Sequence, residues 1–292
     1  MAEYWCMQMG PGWTHHGEHV WIQDDGKEYF IPFEVNPSRY QRATGDPSVD
    51  LAPTFKSPCC EKARLALGEY HPRIWRPGDW PRGETQCPRE FSLTINSARN
   101  LFVGMREVFR YVEPSPTTLS AYGHEIRNLL ILAATEVESG LKQVLEANGY
   151  EASSGRPPKE WTTNDYVKLL EAMRLDEYEL ALFAHPDCPS FRPFAGWSVA
   201  APTKSLDWYA AYHTVKHNRE TLFDQATLGR MLHAMGAVFV LVLAQFGAFG
   251  TEGTDLVTPW EFDGEQPDWP LCDWYVPPSI VPGARWVARP LF

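Results

Sequence analysis

From residue 92 to residue 249 apolar side chains recur at three- and four-residue steps, the spacing that lines one face of an α-helix. Ile95, Ala98, Phe102, Met105 and Phe109 predict a first helix over residues 92–112, ended by Glu113-Pro114. Leu119, Tyr122, Ile126, Leu129, Ala133, Val137, Leu141 and Val144 predict a longer second one over 118–148, with Gly149 as its stop. Thr162-Thr-Asn-Asp165 supplies N-caps for a shorter helix reaching about Met173, and another helical turn or two is expected over 176–184. A third long helix is predicted at about 205–220 and a fourth at about 225–249. Four long striped helices in two sequential pairs describe a mainly α protein. Its core would be a four-helix bundle over 91–250, with an insertion at about 150–203.

The flanks follow another pattern. Val20-Trp-Ile-Gln and Glu28-Tyr-Phe-Ile bracket Asp24-Asp-Gly-Lys27, a hairpin signal. Prolines punctuate the rest of residues 1–90, and a short helix is expected near 60–70. This region has too few long apolar segments for a core of its own, so it reads as a small sheet and loops laid over the main body. Residues 251–292, with Trp260, Trp269, Trp274 and Trp286 among prolines and acids, read as an extended tail.

Composition narrows the class. Twelve Trp beside 25 Pro indicate irregular segments pinned by aromatic rings, since disordered chains are poor in aromatics. A net charge of −11 argues against coating nucleic acid through bulk electrostatics, yet leaves room for a local basic site. The apolar run 234–249 is shorter than the roughly 20 residues a bilayer requires and contains Gln245, so it reads as a buried helix and no membrane partner is expected. The six Cys are scattered and the opening Met1-Ala-Glu-Tyr-Trp-Cys6 is not a secretory pattern; a reducing cytoplasm with free thiols is expected.

The densest chemical signal is Trp208-Tyr-Ala-Ala-Tyr-His-Thr-Val-Lys-His-Asn-Arg-Glu220. His213 and His217 stand at i and i+4 and share a helix face. On a helical wheel Trp208, Ala211, Tyr212, Val215 and the stem of Arg219 form the core stripe; the two histidines lie nearly opposite, flanked by Lys216 and Tyr209. Three chemistries fit. In acid/base work on a phosphodiester, a histidine moves the proton while Lys216 and Arg219 stabilise phosphate charge. In a metal site, His213 and His217 would need a third ligand from His124, Glu125, Glu136 or His233. The third is phosphate or nucleotide binding without catalysis. The alternative to all three is a solvated helix face.

Other clusters are weaker. Residues 71–82 interleave Arg73, Arg76 and Arg82 with Trp75 and Trp80, which suits single-stranded nucleic acid, although arginine stacked on tryptophan also simply fastens a loop. His15, His16, His19, Cys6, Cys59, Cys60 and Cys87 lack the paired spacing of a zinc site. No phosphate loop, dinucleotide fingerprint or nucleophile elbow is present, and no cofactor or resident metal is called for.

A helical pair whose second member ends in a basic–histidine cluster resembles the HEPN superfamily over roughly residues 92–249. That resemblance implies a helix bundle, often dimeric, found in toxin and phage-defence systems and often a metal-independent ribonuclease. The family motif is an arginine, four to six residues, then a histidine. His217 matches the histidine; the arginine would stand at Tyr212, Ala211 or Ala210, where this chain has none. What the resemblance implies is a protein that binds or cleaves RNA or a nucleotide. His217 would be the acid/base group, His213 a second proton-transfer or orienting group, Lys216 and Arg219 phosphate contacts, Tyr209 a supporting neighbour and Glu125 a carboxylate near the histidines. The missing arginine allows a variant active site or a binding domain. The competing classes are a non-catalytic interaction module built from the aromatic N- and C-terminal segments, and a metal-dependent helical-bundle hydrolase.

Overall fold

The computed structural model describes residues 3–8, 18–22, 28–31, 38–54, 59–77, 88–217, 222–247, 262–280 and 283–292. The chain divides into two compact units. Unit 1 comprises Met1–His71, Arg76–Thr85 and Asp268–Arg289; unit 2 comprises Pro72–Trp75, Gln86–Pro267 and Pro290–Phe292. The two ends of the chain therefore join in unit 1, whereas the sequence reading treated them as separate segments.

Unit 1 holds a five-stranded antiparallel sheet. Its strands are β1 (Glu3–Gln8), β2 (Glu18–Ile22), β3 (Glu28–Ile31), β4 (Ser38–Gln41) and β5 (Cys59–Lys62), in the order β4-β3-β2-β1-β5. The predicted hairpin is present as β2 against β3, with Trp21 opposite Phe30 and Ile22 opposite Tyr29; its Asp-Gly turn lies outside the described residues. A short helix, α1 (Pro47–Asp50), starts on Asp46, whose side chain accepts from the Ser48 amide. The helix expected near 60–70 does not form: β5 pairs with β1, and β6 (Glu69–Tyr70) pairs in parallel with Val287–Ala288. Strand partners distant in sequence outweigh a weak local preference. Cys6, Leu271 and Val276 are buried together, with Tyr4, Ala63, Leu67 and Trp274 packed on them, so the small core of this unit draws on both flanks of the chain and not on residues 1–90 alone.

Unit 2 is helical. The predicted long helices appear as α2 (Pro88–Phe109), α3 (His124–Ala147), α6 (Asp207–His217) and α7 (Leu228–Phe246). The shorter helix is two single turns, α4 (Thr163–Tyr166) and α5 (Leu169–Ala172); Thr162 and Asp165 form a reciprocal capping box on the first. Gly149, at φ +69°, follows the end of α3 in the left-handed region where glycine costs least.

The segment 176–184 opens on the end of a single 3-10 turn, Leu175–Glu177, and then runs as a strand where a further helical turn was expected. β7 (Glu179–Leu182) pairs antiparallel with β8 (Phe262–Glu265), and Leu180 bridges on its other side to Phe191. Leu180 and Leu182 are buried while Ala181 is exposed, a period of two. Opposite Leu180 stands Gly264, where a Cβ would meet Leu180 Cδ2 at 2.8 Å.

Helix α7 is the centre of this unit: 16 of its 19 residues are buried, so it is apolar all round for the reason a core helix is. It lies most extensively against α3, and the two run parallel. At one end the amides of Leu228 and Gly229 donate to the carbonyls of Ala121 and Leu119; at the other, Gly140 faces Leu241 and Gln245. Helix α2 runs antiparallel to both, with Gly104 on Leu129, Phe91 on Phe246 and Phe102 on Phe239. Helix α6 contacts α3 and α7. The polar interruption in α7 is satisfied: fully buried Gln245 accepts from Arg73 Nε (2.8 Å) and donates to the Leu241 carbonyl (2.9 Å).

Candidate functional site

Helix α6 is anchored before its chemistry begins. Trp208 Nε1 donates to the Pro193 carbonyl (2.8 Å), tying the helix to the proline-rich segment that leads into it, and Trp197 Nε1 donates to the Pro202 carbonyl (2.9 Å). Asp207, in the first turn where an acid suits the helix dipole, accepts a two-pronged contact from Arg230 of α7 at 2.8 and 3.0 Å.

Trp208, Ala211, Tyr212 and Val215 are buried, as the apolar stripe requires. Tyr209 is buried too, at 5% exposure, so it belongs to the packed side rather than to a free polar face. Tyr209, Tyr212, His213 and Lys216 form a second i, i+3, i+4, i+7 stripe, drawn toward α3 by one carboxylate, Glu138. Tyr209 Oη donates to Glu138 Oε1, and Tyr212 Oη donates to Glu138 Oε2 at 3.4 Å. Lys216 Nζ donates to Tyr212 Oη at 2.7 Å and lies 4.9 Å from the centre of that ring. The half-buried His213 ring packs edge-on and tilted against both tyrosines, at 4.9 and 5.2 Å between centroids.

The electrostatics follow from this connectivity. Burial, reinforced by the Glu138 carboxylate, pushes the Tyr209 hydroxyl far above the usual phenol range, so it stays a donor. The hydrogen bond to Tyr212 raises the Lys216 ammonium above its ordinary value, against a smaller opposing effect of burial. Tyr166, held on the Trp161 carbonyl, is pushed up to about 12 by burial and then by Glu138. The result is a connected path from an exposed ammonium, through a phenol, to a half-buried carboxylate, with an imidazole along its side.

Of the residues singled out from sequence, the structure joins Tyr209, His213 and Lys216. His217 closes α6 with its side chain outside the described residues, and Arg219 lies wholly outside them. Glu125 is exposed in the first turn of α3. It stands 13 positions from Glu138, about 20 Å along the helix axis, so the α3 carboxylate on the cluster is Glu138. Sequence reasoning passed over Glu138 because it flanks the α3 core stripe. The available signal was on the other helix: a buried tyrosine hydroxyl needs a partner.

The third ligands considered for a metal are engaged elsewhere. His233 is half-buried beside the Phe191 ring (4.6 Å) and His124 beside Phe223 (4.8 Å). Glu136, whose carboxyl is raised by burial against an opposing hydrogen bond from Ser97, lines a groove of about 460 Å³ between α2 and α3 with Arg73, Glu90, Gln143 and Glu146. Among the described residues no three His, Cys, Asp or Glu side chains are grouped to hold a metal ion. In the 71–82 segment, Arg76 stacks on Trp269 (5.2 Å) and Tyr275 (5.8 Å) and pairs with Asp273 (3.5 Å), the fastening role; Trp80 and Arg82 lie outside the described residues. Of the cysteine and histidine set, Cys6 is buried and Cys59 exposed, while His15, His16 and Cys87 lie outside the described residues.

Comparison with known proteins returns no matching family model, no matching curated protein and no matching solved structure.

Proposed function

We propose that unit 2 is a HEPN-like domain, with α2, α3, α6 and α7 as its four-helix-bundle core, and that its α6 face binds RNA or a nucleotide. Metal-independent phosphodiester cleavage is the reaction its histidines would run. The observation that carries this reading is the bond between Lys216 and Tyr212. Tyr212 stands five residues before His217, one of the places where the family has its arginine. Its hydroxyl holds the Lys216 ammonium at 2.7 Å. The cation absent from position 212 is thus supplied by Lys216 at the tip of the residue that replaced it.

In this reading Lys216 meets a phosphate oxygen, and Tyr212 and Glu138 hold the ammonium in place. His217 acts as acid or base and His213 orients or transfers a second proton, both suited to it near neutral pH. Arg219 adds a second phosphate contact. Glu138 and Tyr209 set the position of α6 and touch no substrate.

The test is incubation of the whole chain with mixed RNA in EDTA, together with a binding assay for RNA and mononucleotides. Cleavage abolished in His217→Ala, with binding retained there and weakened in Lys216→Met, is the expected result. Neither cleavage nor binding in the unaltered protein overturns the proposal, and cleavage that EDTA abolishes moves it to metal-dependent hydrolysis.

A further inference from the structure

At the opposite end of α3 from its Gly149 stop, the entry of the helix carries a buried positive charge. Arg127 is 7% exposed. Its Nη2 donates to Asn128 Oδ1 (2.9 Å), its guanidinium lies over the Phe223 ring (5.4 Å), and its Nε has no hydrogen-bond partner. No carboxylate of a described residue pairs with it. Burying a cation costs much unless it is paired, and one amide oxygen with one aromatic face is incomplete compensation. The other buried arginine among the described residues, Arg76, has its acid in Asp273.

The surroundings favour an anion. Arg127 sits in the first turns of α3, where side chains lean toward the helix N-terminus. That terminus has Gly123 as N-cap, without a side-chain cap, and nothing lies within 4 Å of where a Gly123 Cβ would be. Because α3 and α7 are parallel, their entries lie side by side and pair at Tyr122 and Thr227; the amides of Leu228, Gly229 and Arg230 in α7 are taken by Ala121, Leu119 and the Thr227 side chain, which leaves the α3 end as the one to receive an anion. Exposed His124 packs on Phe223 at 4.8 Å, and exposed Tyr122 packs edge-on against the same ring at 5.8 Å. Among the described residues Glu125 and Asp224 are the nearby acids in sequence; both are exposed, where solvent and salt screen them.

We infer that the α3 N-terminal end is a binding site for a phosphoryl anion, with Arg127 as its anchoring charge and His124 and the first-turn amides of α3 as further donors. The site goes beyond the α6 reading and does not depend on it: Arg127 and Glu138 are 11 positions apart, roughly 16 Å along α3. The Tyr122–Phe223 pair beside it suits a base or other flat ring attached to the phosphate.

The probe is inorganic phosphate, titrated against chloride at equal ionic strength, with the His124 ring signals and the melting temperature as readouts. Parallel titrations use a nucleoside monophosphate and the bare nucleoside. Saturable binding of phosphate is expected, tighter for the monophosphate if the rings take part and equal to phosphate if they do not. Arg127→Met weakens it by at least about tenfold, as loss of a charge-assisted hydrogen bond does. Glu125→Gln tightens it. In phosphate-free buffer Arg127→Met melts no lower than the unaltered protein, because it removes an uncompensated charge. Should that variant not fold, Arg127→Lys takes its place, keeping the charge and losing the fork. Unaltered protein whose His124 signals and melting temperature ignore phosphate overturns the inference, as does binding of the nucleoside alone.

Discussion

Replacing Glu138 by leucine removes a carboxylate on which the α6 cluster converges. The Tyr209 hydroxyl then loses its acceptor at a site 5% exposed. A buried donor left without a partner costs about 1–3 kcal/mol, and a hydrogen bond to a charged group contributes about 1.5–3 kcal/mol. Tyr212 is less affected, because its 3.4 Å bond to Glu138 is long and Lys216 still donates to it. Glu138→Leu should therefore destabilise unit 2 by roughly 2–4 kcal/mol, and Glu138→Gln, which keeps an acceptor, by about 1 kcal/mol. A double-mutant cycle with Tyr209→Phe isolates the pair. Once the donor is gone there is no orphan, so the double variant should fall short of the summed single costs by about 1–2 kcal/mol. Urea unfolding followed by far-UV circular dichroism, which the helices of unit 2 dominate, measures each corner. A second readout is the Lys216 titration, followed by NMR of its side chain. Tyr212→Phe should lower the Lys216 pKa more than Glu138→Leu does, since the hydrogen bond that Lys216 donates to Tyr212 is the larger cause of its elevation and the Glu138 charge the smaller. Additive stabilities, or a Lys216 titration indifferent to Tyr212, would refute the picture of one coupled cluster.

Other consequences can be checked with the same equipment. Burial lowers the His233 pKa below its usual 6.5, with Asp207 partly opposing. Its contribution to stability is therefore present above that value and lost as pH falls through the folded-state value. His233→Leu should flatten the fall in melting temperature from pH 7 toward pH 5, and an unchanged slope would refute the assignment. Gly236→Ala places a methyl group 2.8 Å from Phe191, 2.9 Å from Leu180 and 3.0 Å from Pro193. Overpacking should exceed the helical gain of alanine and cost about 1–2 kcal/mol; a stabilised variant would show that the contact relaxes freely. Buried Asn148 joins α3 to two distant segments, donating to the Pro72 carbonyl (2.7 Å) and accepting from the Leu291 amide (3.2 Å). Asn148→Ala should cost about 1–3 kcal/mol and leave the amide of Leu291 open to hydrogen exchange, which remains slow if the tail is held by Phe292 on Tyr150 alone.

The helical framework of unit 2 was legible in the chain because it depends on local spacing. The stripes of α2, α3 and α7, the cap at Thr162 and the glycine stop at Gly149 each arise within a few residues of one another, where a 3.6-residue period or a left-handed turn leaves its mark. The densest cluster, on α6, was legible for the same reason. What the sequence could not disclose is which of its polar groups face a partner. Tyr209 looks like part of a wet face until Glu138, 71 residues earlier, arrives from α3 to accept its hydrogen bond. Strands were least legible. Glu179-Leu-Ala-Leu182 and Cys59-Cys-Glu-Lys62 become strands through partners Phe262–Glu265 and β1, so their conformation is set by pairing across long stretches of chain. The core of unit 1 is likewise nonlocal, since Cys6 meets Leu271 and Val276 only when the two ends come together. The buried Arg127 belongs to the same class: no acid of a described residue pairs with it, and that is decided by where folding places those acids. Local periodicity wrote the helices; the carboxylate at the α6 cluster, the strand partners and the uncompensated charge at the α3 entry came only from tertiary packing, because each depends on residues that no sequence window holds together.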